Sequence, residues 1–290
     1  MKKALALDIG GTKIFAAVVN EKGEIEGEIQ KYKTPKSLDE IKSTLKDIIS
    51  KSENMVDIVT IATAGAVNNE NSAITSSTGN LVEGYNTIEF GFLSKRKVFV
   101  ENDANSAAWA EHAVGAAKSY SNSITVTLGT GVGSGIIIEN KLLKGKSGAA
   151  GEMHFKMSND QKRKCTCGAW DCWEIYASGN GLRLTGVDVT GKEDITTYDI
   201  MAGVEAGDAT MKEVFDIWQR YIINGLVGLA NIFDPDCIVL SGSMAEFVDT
   251  EFIQWEVNKQ ILTQPTKILH ASAGNYAGMI GSALLGISKL

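Results

Sequence analysis

The apolar run ALALDIGGTKIFAAVV, which begins at Ala4 and leads up to Asn20, is broken once by a polar, glycine-rich turn. The stretch around Ile124–Asn140, SITVTLGTGVGSGIIIE, repeats the arrangement. Each copy ends in a second polar turn, Asn20-Glu21-Lys22-Gly23 in one and Glu139-Asn140-Lys141 in the other. The pattern predicts two β-hairpins with glycine bends. Glycine tolerates positive φ and close backbone approach, so such a bend can aim several N–H groups at one phosphate, and two bends can grip one polyphosphate. Tight hairpins alone would also account for a single copy. The string Gly131-Val132-Gly133-Ser134-Gly135 is not a dinucleotide fingerprint, because that motif opens a helix and here Ile136, Ile137 and Ile138 continue a strand.

Between the hairpins, Leu38, Ile41, Leu45, Ile48 and Ile49 recur at helical spacing, followed by a strand at Asp57–Ile61 and a turn-rich stretch from Asn68 to Gly84. A strand at Val98–Glu101 leads into an alanine-rich helix, Ala104–Ala117, that begins near Asn102-Asp103. Farther on, Ala209–Ile232 places Val214, Phe215, Trp218, Ile222, Leu226 and Leu229 on one helical face until Asp234-Pro235 stops it. A last buried strand at Cys237–Leu240 runs into Ser241-Gly242-Ser243, and a small-residue helix, Tyr276–Ile287, closes the chain. Alternating strands and helices imply an α/β fold of two lobes. The lobe boundary is placed near residue 100. This gives a smaller N-terminal lobe of residues 1–100, joined by helix 276–290, and a larger lobe of 101–275 with an insert at 152–174.

The 290 residues, 44% hydrophobic, suffice for a sizeable core. A net charge of −7 and a pI of about 5.2 argue against nucleic acid or an anionic membrane as partner, and favour a small molecule. The opening MKKALALDIGG carries too short an apolar stretch for a signal peptide, and no apolar run reaches the roughly 18 residues of a membrane span, so a cytoplasmic location is expected.

Two groups of residues offer chemistry. Glu101-Asn102-Asp103-Ala104-Asn105 stands at a strand's C-terminal end, where α/β sheets gather ligands. There Asn102 can donate to and accept from a polyol while Asp103 accepts a hydroxyl proton, or either residue simply caps the helix. Three of the 4 cysteines, Cys165, Cys167 and Cys172, fall close together, with His154 the nearest upstream histidine. The three cysteines are one ligand short of a tetrahedral zinc site and a histidine is the natural fourth, which would leave no position for substrate and make the zinc structural; a group of reduced thiols is the alternative. Glu152 and Glu174 flank it, and a zinc knot would fix these two carboxylates for reading sugar hydroxyls; surface glutamates are the alternative.

Taken together, Asp8-Ile9-Gly10-Gly11-Thr12-Lys13, Glu101–Asn105, Leu128-Gly129-Thr130-Gly131-Val132-Gly133, Gly148–Glu152, Cys165–Glu174 and Tyr176-Ala177-Ser178-Gly179 resemble the ROK family of sugar kinases over nearly the whole chain. The Cys165–Glu174 segment resembles that family's CxCGxxGCxE motif. The resemblance implies the actin-like, hexokinase-type, ribonuclease H-like ATPase fold. It implies ATP phosphates held by Gly10, Gly11, Thr12 and Lys13 and by Gly129, Thr130, Gly131 and Gly133, with Asp8 near Mg²⁺ and Gly242 and Ser243 in the adenosine region. Asp103 is then the base acting on a hexose 6-hydroxyl. Gly65, Asn80, Asn102, Glu152, His154 and Glu174 face the sugar, and a homodimer or homotetramer is expected by analogy.

The chain departs from the family pattern in places. Where the family writes Glu-x-Gly-His, the chain has Glu152-Met153-His154-Phe155, and His154 rather than Phe155 is assigned to the metal. Asp171 replaces a glycine of the cysteine motif, and Ser241 replaces the first glycine of the adenosine turn. The common NLPGW becomes Asn80-Leu81-Val82-Glu83-Gly84-Tyr85, longer and without proline, which leaves glucose and N-acetylmannosamine both open. A sugar-responsive regulator is disfavoured because the first phosphate loop begins at Asp8, and a silent sugar or nucleotide binder because both Asp8 and Asp103 are retained.

Overall fold

Strands β1 (Lys3–Ile9) and β2 (Lys13–Asn20) pair antiparallel, from Lys3 opposite Asn20 to Ile9 opposite Ile14, as the first apolar repeat predicts. The computed structural model describes residues 1–76 and 81–290, and Asn80 lies outside the described residues. Beyond the turn that ends in Gly23 the chain enters a strand that the pattern does not announce, β3 (Ile25–Lys33). None of its residues is fully buried and a bulge opposite Ala16–Val18 interrupts its pairing, so it carries no clean alternation. Helix α1 (Leu38–Ser52) follows, capped by the Ser37 hydroxyl, and buries Ile41, Leu45, Ile48 and Ile49.

Strand β4 (Ile58–Thr63), buried throughout, runs parallel to β1. The stretch expected to be turns holds a small ribbon, β5 (Ala66–Val67) with β6 (Ile74–Ser76), and β7 (Val98–Asn102) then pairs parallel with β4. Helix α2 (Asp103–Ala113) stops short of Ala117. There the Glu111 carboxylate turns back to accept the Ala116 N–H at 2.8 Å, and Gly115 N–H bonds the Glu111 carbonyl at 3.1 Å.

The second hairpin comprises β8 (Ser123–Leu128) and β9 (Val132–Ile138), followed by β10 (Lys141–Leu142). Glu139 and Asn140 both take positive φ between β9 and β10, the signature of a two-residue hairpin turn. Helices α3 (Trp173–Ala177), α4 (Gly179–Thr190), α5 (Thr197–Glu205) and α6 (Ala209–Phe233) come next, and α6 ends at Asp234, whose φ of +45° turns the chain before Pro235. Strand β11 (Cys237–Ser241) is not the last. After α7 (Thr250–Asn258), β12 (Lys267–His270) pairs with it in parallel; only Ile268 of β12 is buried, too little apolar content to show in the sequence. Helix α8 (Ala277–Ile287) ends the fold.

The five-stranded sheets run β3-β2-β1-β4-β7 and β10-β9-β8-β11-β12. Numbered within its own set, each reads third-second-first-fourth-fifth, so the duplicated hairpin belongs to a duplicated sheet. The chain divides into two compact units, one of residues 1–125, 135–151 and 271–290, the other of 126–134 and 152–270; β7 and α2 belong to the first. Among the described residues no helix is long and apolar enough to cross a membrane.

In the first unit, α1 packs its buried stripe against Leu5, Leu7, Val59, Ile61 and Val100. Met279, Ala283, Leu285 and Ile287 of α8 cover the other sheet face at Ala4, Ala6, Ala17, Val19 and Ile58. Helices α2 and α8 touch closely because a Cβ at Gly281 would stand 1.7 Å from the Ser106 carbonyl oxygen. The second unit centres on α6, where Trp218 donates its indole N–H to the carbonyls of Ala177 and Ser178 at 3.1 and 3.0 Å.

Candidate active site

The first glycine turn is closed by Gly10 N–H on the Lys13 carbonyl at 2.9 Å and is tied to the end of β3 by the Thr34 hydroxyl on the Gly10 carbonyl at 2.6 Å. Asp8, at the end of β1, lies against the first turn of α8: a Cβ at Gly278 would come within 2.7 Å of its Oδ2. Burial, and then the nearby Asp103 carboxylate, push the Asp8 pKa up to about 7.

Sequence left Asn102 and Asp103 as rival caps of α2, and the structure separates their tasks. The Asn102 Oδ1 accepts the Asn105 N–H at 3.0 Å as N-cap, while its Nδ2 donates to the Gly65 carbonyl at 3.1 Å. Gly65 holds φ +102° with the Ser76 carbonyl where a Cβ would stand, so no other residue fits there without strain. Asp103 accepts the Ala104 N–H at 2.9 Å, and crowding by protein raises its pKa above the usual carboxylate range. Its residue surface is nevertheless open to solvent, which tempers the size of that shift and leaves the carboxylate accessible. Tyr85, buried and bonded to the Thr63 hydroxyl at 2.9 Å, feels the charges of both Asp8 and Asp103. Tyr85 entered the sequence reading only as the end of the loop Asn80–Tyr85, and no motif singled out Thr34 or Gly278; a glycine in a small-residue helix carries no signal that a carboxylate rests on it.

In the second unit, Gly129 N–H bonds the Gly131 carbonyl at 3.0 Å, and Gly133 N–H bonds the Thr127 hydroxyl at 3.1 Å. The N-terminus of α4 docks on this turn through Gly179 N–H on the Gly129 carbonyl at 2.8 Å. Such a helix start favours anions. Gly242, at φ +88°, packs against Leu128, where a Cβ would stand 2.4 Å from the carbonyl oxygen. The structure thus brings Gly242 and the neighbouring Ser243 to the turn of Gly129, Thr130, Gly131 and Gly133.

His154, Cys165, Cys167 and Cys172 place their ligand atoms within 4.8 Å of one another. The Cys167 and Cys172 sulfurs are 3.6 Å apart, and so are His154 Nδ1 and the Cys165 sulfur. These spacings suit the edges of a tetrahedron with metal–ligand bonds of roughly 2.0–2.3 Å, and they are far beyond a disulfide. Phe155 points elsewhere, stacked on Trp173 at 5.3 Å. The second ring nitrogen of His154 lies 3.6 Å from Glu152 Oε2, the kind of outer contact that orients a metal-bound imidazole. Asp171 takes the left-handed conformation of the glycine it replaces, at φ +58°, and its buried carboxylate accepts Arg163 N–H at 2.9 Å and the Tyr176 hydroxyl at 2.7 Å. The substitution therefore adds an anchor to the cysteine loop.

A sequence profile of the ROK family matches residues 4–289. The chain is 31% identical to a glucokinase of Streptomyces coelicolor over 311 residues, covering 98% of this chain and 97% of that protein. It is 32% identical to an N-acetylmannosamine kinase of Yersinia pseudotuberculosis over 258 residues, 84% of each. Among solved structures it resembles the ROK family glucokinase from Streptomyces griseus in complex with glucose and AMPPNP, with a TM-score of 0.80, 31% identity and coverage of 98% of both chains. By this match, and by the two-lobed fold it shares, the chain belongs to the ROK family.

Proposed function

We propose that the chain is an ATP-dependent kinase that transfers the γ-phosphoryl group to the 6-hydroxyl of a hexose, with glucose or N-acetylmannosamine as substrate. The observation that carries this reading is Asp103, solvent-accessible at the first turn of α2, beside Asn102 and in electrostatic contact with Asp8. A carboxylate whose pKa is raised is a stronger base toward a hydroxyl proton than an ordinary one. In this reading Asn102 orients the hydroxyls, Asp103 takes the proton as the oxygen attacks in line, and the N–H groups of both glycine turns hold the phosphates. Phosphoryl transfer asks chiefly for such positioning and charge neutralisation.

Two carboxylates that raise each other's energy, Asp8 and Asp103, suit a divalent cation, which relieves their repulsion. Mg²⁺ bound near Asp8 would supply charge neutralisation on the phosphates. His154, Cys165, Cys167 and Cys172 would hold a zinc ion, which with all four positions filled by protein is structural and would steady the segments that carry Glu152, assigned to the sugar, and Glu174, whose carboxylate bonds the second glycine turn.

The test is ADP release over glucose, N-acetylmannosamine, mannose, fructose and N-acetylglucosamine, with Asp103→Asn as control. Turnover on at least one sugar that vanishes in the variant supports the reading. No turnover on any of them, or undiminished turnover in Asp103→Asn, refutes it.

A further inference from the structure

The Glu101 side chain, 1% exposed, is one residue from the Asn102–Asp103 pair and is saturated with donors. Asn71 Nδ2 reaches it at 2.7 Å, Lys144 Nζ at 2.8 Å, Asn102 N–H at 2.9 Å and Asn105 Nδ2 at 3.2 Å. Lys144 belongs to the loop after β10 and also donates to the Asn68 carbonyl at 3.2 Å. Asn69 Nδ2 returns the contact, reaching the carbonyls of Gly145 and Lys146 at 3.2 and 3.0 Å. Gly148 seals the junction, since a Cβ there would stand 1.7 Å from the Val67 carbonyl oxygen. Three stretches, 67–71, 101–105 and 144–148, are therefore locked around one buried carboxylate, and the third runs on through Gly151 into Glu152.

We infer that Glu101 and Lys144 are positioning residues for the sugar, the ion pair holding stretches 67–71 and 144–148 in register with the strand end that carries Asn102 and Asp103. The inference rests on the kinase reading above and deepens it. Breaking one partner of such a pair strands a buried charge, whereas removing both charges does not. The informative protein is therefore the double variant Glu101→Gln/Lys144→Met, compared with Lys144→Met and Lys144→Arg.

The double variant is expected to fold and to raise the sugar KM about tenfold while the ATP KM changes by less than about twofold, with Lys144→Arg close to the parent. Amide exchange should quicken at 144–151 and at 68–71. A merely structural pair would move both KM values together or lower stability alone, and either result in the folded double variant overturns the inference. The exchange readout does not depend on turnover. If the parent phosphorylates no sugar, the kinase reading falls, while quickened exchange in both loops still supports the lock and unchanged exchange overturns it.

Discussion

Glu174 and Val132 meet at the second glycine turn, where the Glu174 Oε2 accepts the Val132 N–H at 3.2 Å. The other oxygen accepts the Thr166 hydroxyl at 3.0 Å and lies 3.5 Å from the Cys165 sulfur. One side chain thus joins the candidate phosphate turn to the cysteine knuckle. Glu174→Gln presents an amide NH₂ to one of these two sides and loses a charge-assisted bond of about 1.5–3 kcal/mol. The nucleotide KM should rise about tenfold with the metal content unchanged; steady-state kinetics showing an unaltered nucleotide KM would refute this link.

The cysteine cluster should carry about one zinc per chain. Metal analysis of freshly purified protein checks the stoichiometry, and Cys172→Ser should lose the metal and lower the melting temperature. Gly225→Ala tests the support of the same loop. Its Cβ would lie 2.0 Å from the indole of Trp173, next in sequence to Cys172, so an overpacking cost of about 1–3 kcal/mol and weaker zinc retention against a chelator are expected.

Asp8 makes stability depend on pH in a definite direction. Its pKa is about 7 in the fold against 3.8 as the ordinary value, so the folded state favours the protonated form. Ionising it costs stability as pH rises from about 4 to about 7, after which the cost levels off. Asp8→Asn should therefore stabilise the metal-free protein at pH 8 by at most about 4 kcal/mol, less where solvent reaches this half-buried group, with the gain vanishing toward pH 4. Thermal melts across that range decide the matter, and a gain that does not grow with pH counts against the assignment.

Asp103→Asn should lower kcat by about 10²–10⁴ without moving the melting temperature at neutral pH by more than a few degrees. In the parent, the acid limb of kcat/KM should fall above the usual carboxylate range, because crowding raises the Asp103 pKa. A limb near pH 4 would refute the raised Asp103 pKa.

Gly278→Ala drives a methyl group toward the Asp8 carboxylate, 2.7 Å from Oδ2. A displacement of a few tenths of an ångström at that site should cost about tenfold in kcat, with helix α8 intact by circular dichroism.

Much of this was legible in the sequence, for identifiable reasons. The apolar blocks of β1, β2, β4, β8 and β9 and the stripe of α1 are buried and periodic, so they announced themselves. β3 and β12 are poor in buried residues, and an edge strand that faces water looks like a loop. The cysteine spacing with His154 picked out the four side chains that the fold brings within 4.8 Å of one another. The division of labour between Asn102 as cap and Asp103 as open carboxylate depends on backbone geometry that residue types do not encode. The contacts of Gly278 with Asp8 and of Lys144 with Glu101 join segments far apart in sequence, which no local pattern contains.

Helix α8 completes the core around β1 and β2, although the whole second unit lies between them in the chain. During synthesis the face formed by Ala4, Ala6, Ala17 and Val19 must therefore wait uncovered until α8 has been made, while 152–270 can already assemble as a contiguous stretch. The order of maturation is thereby inverted: the unit begun first is finished last, and Asp8 acquires its seat against Gly278 only at that final step.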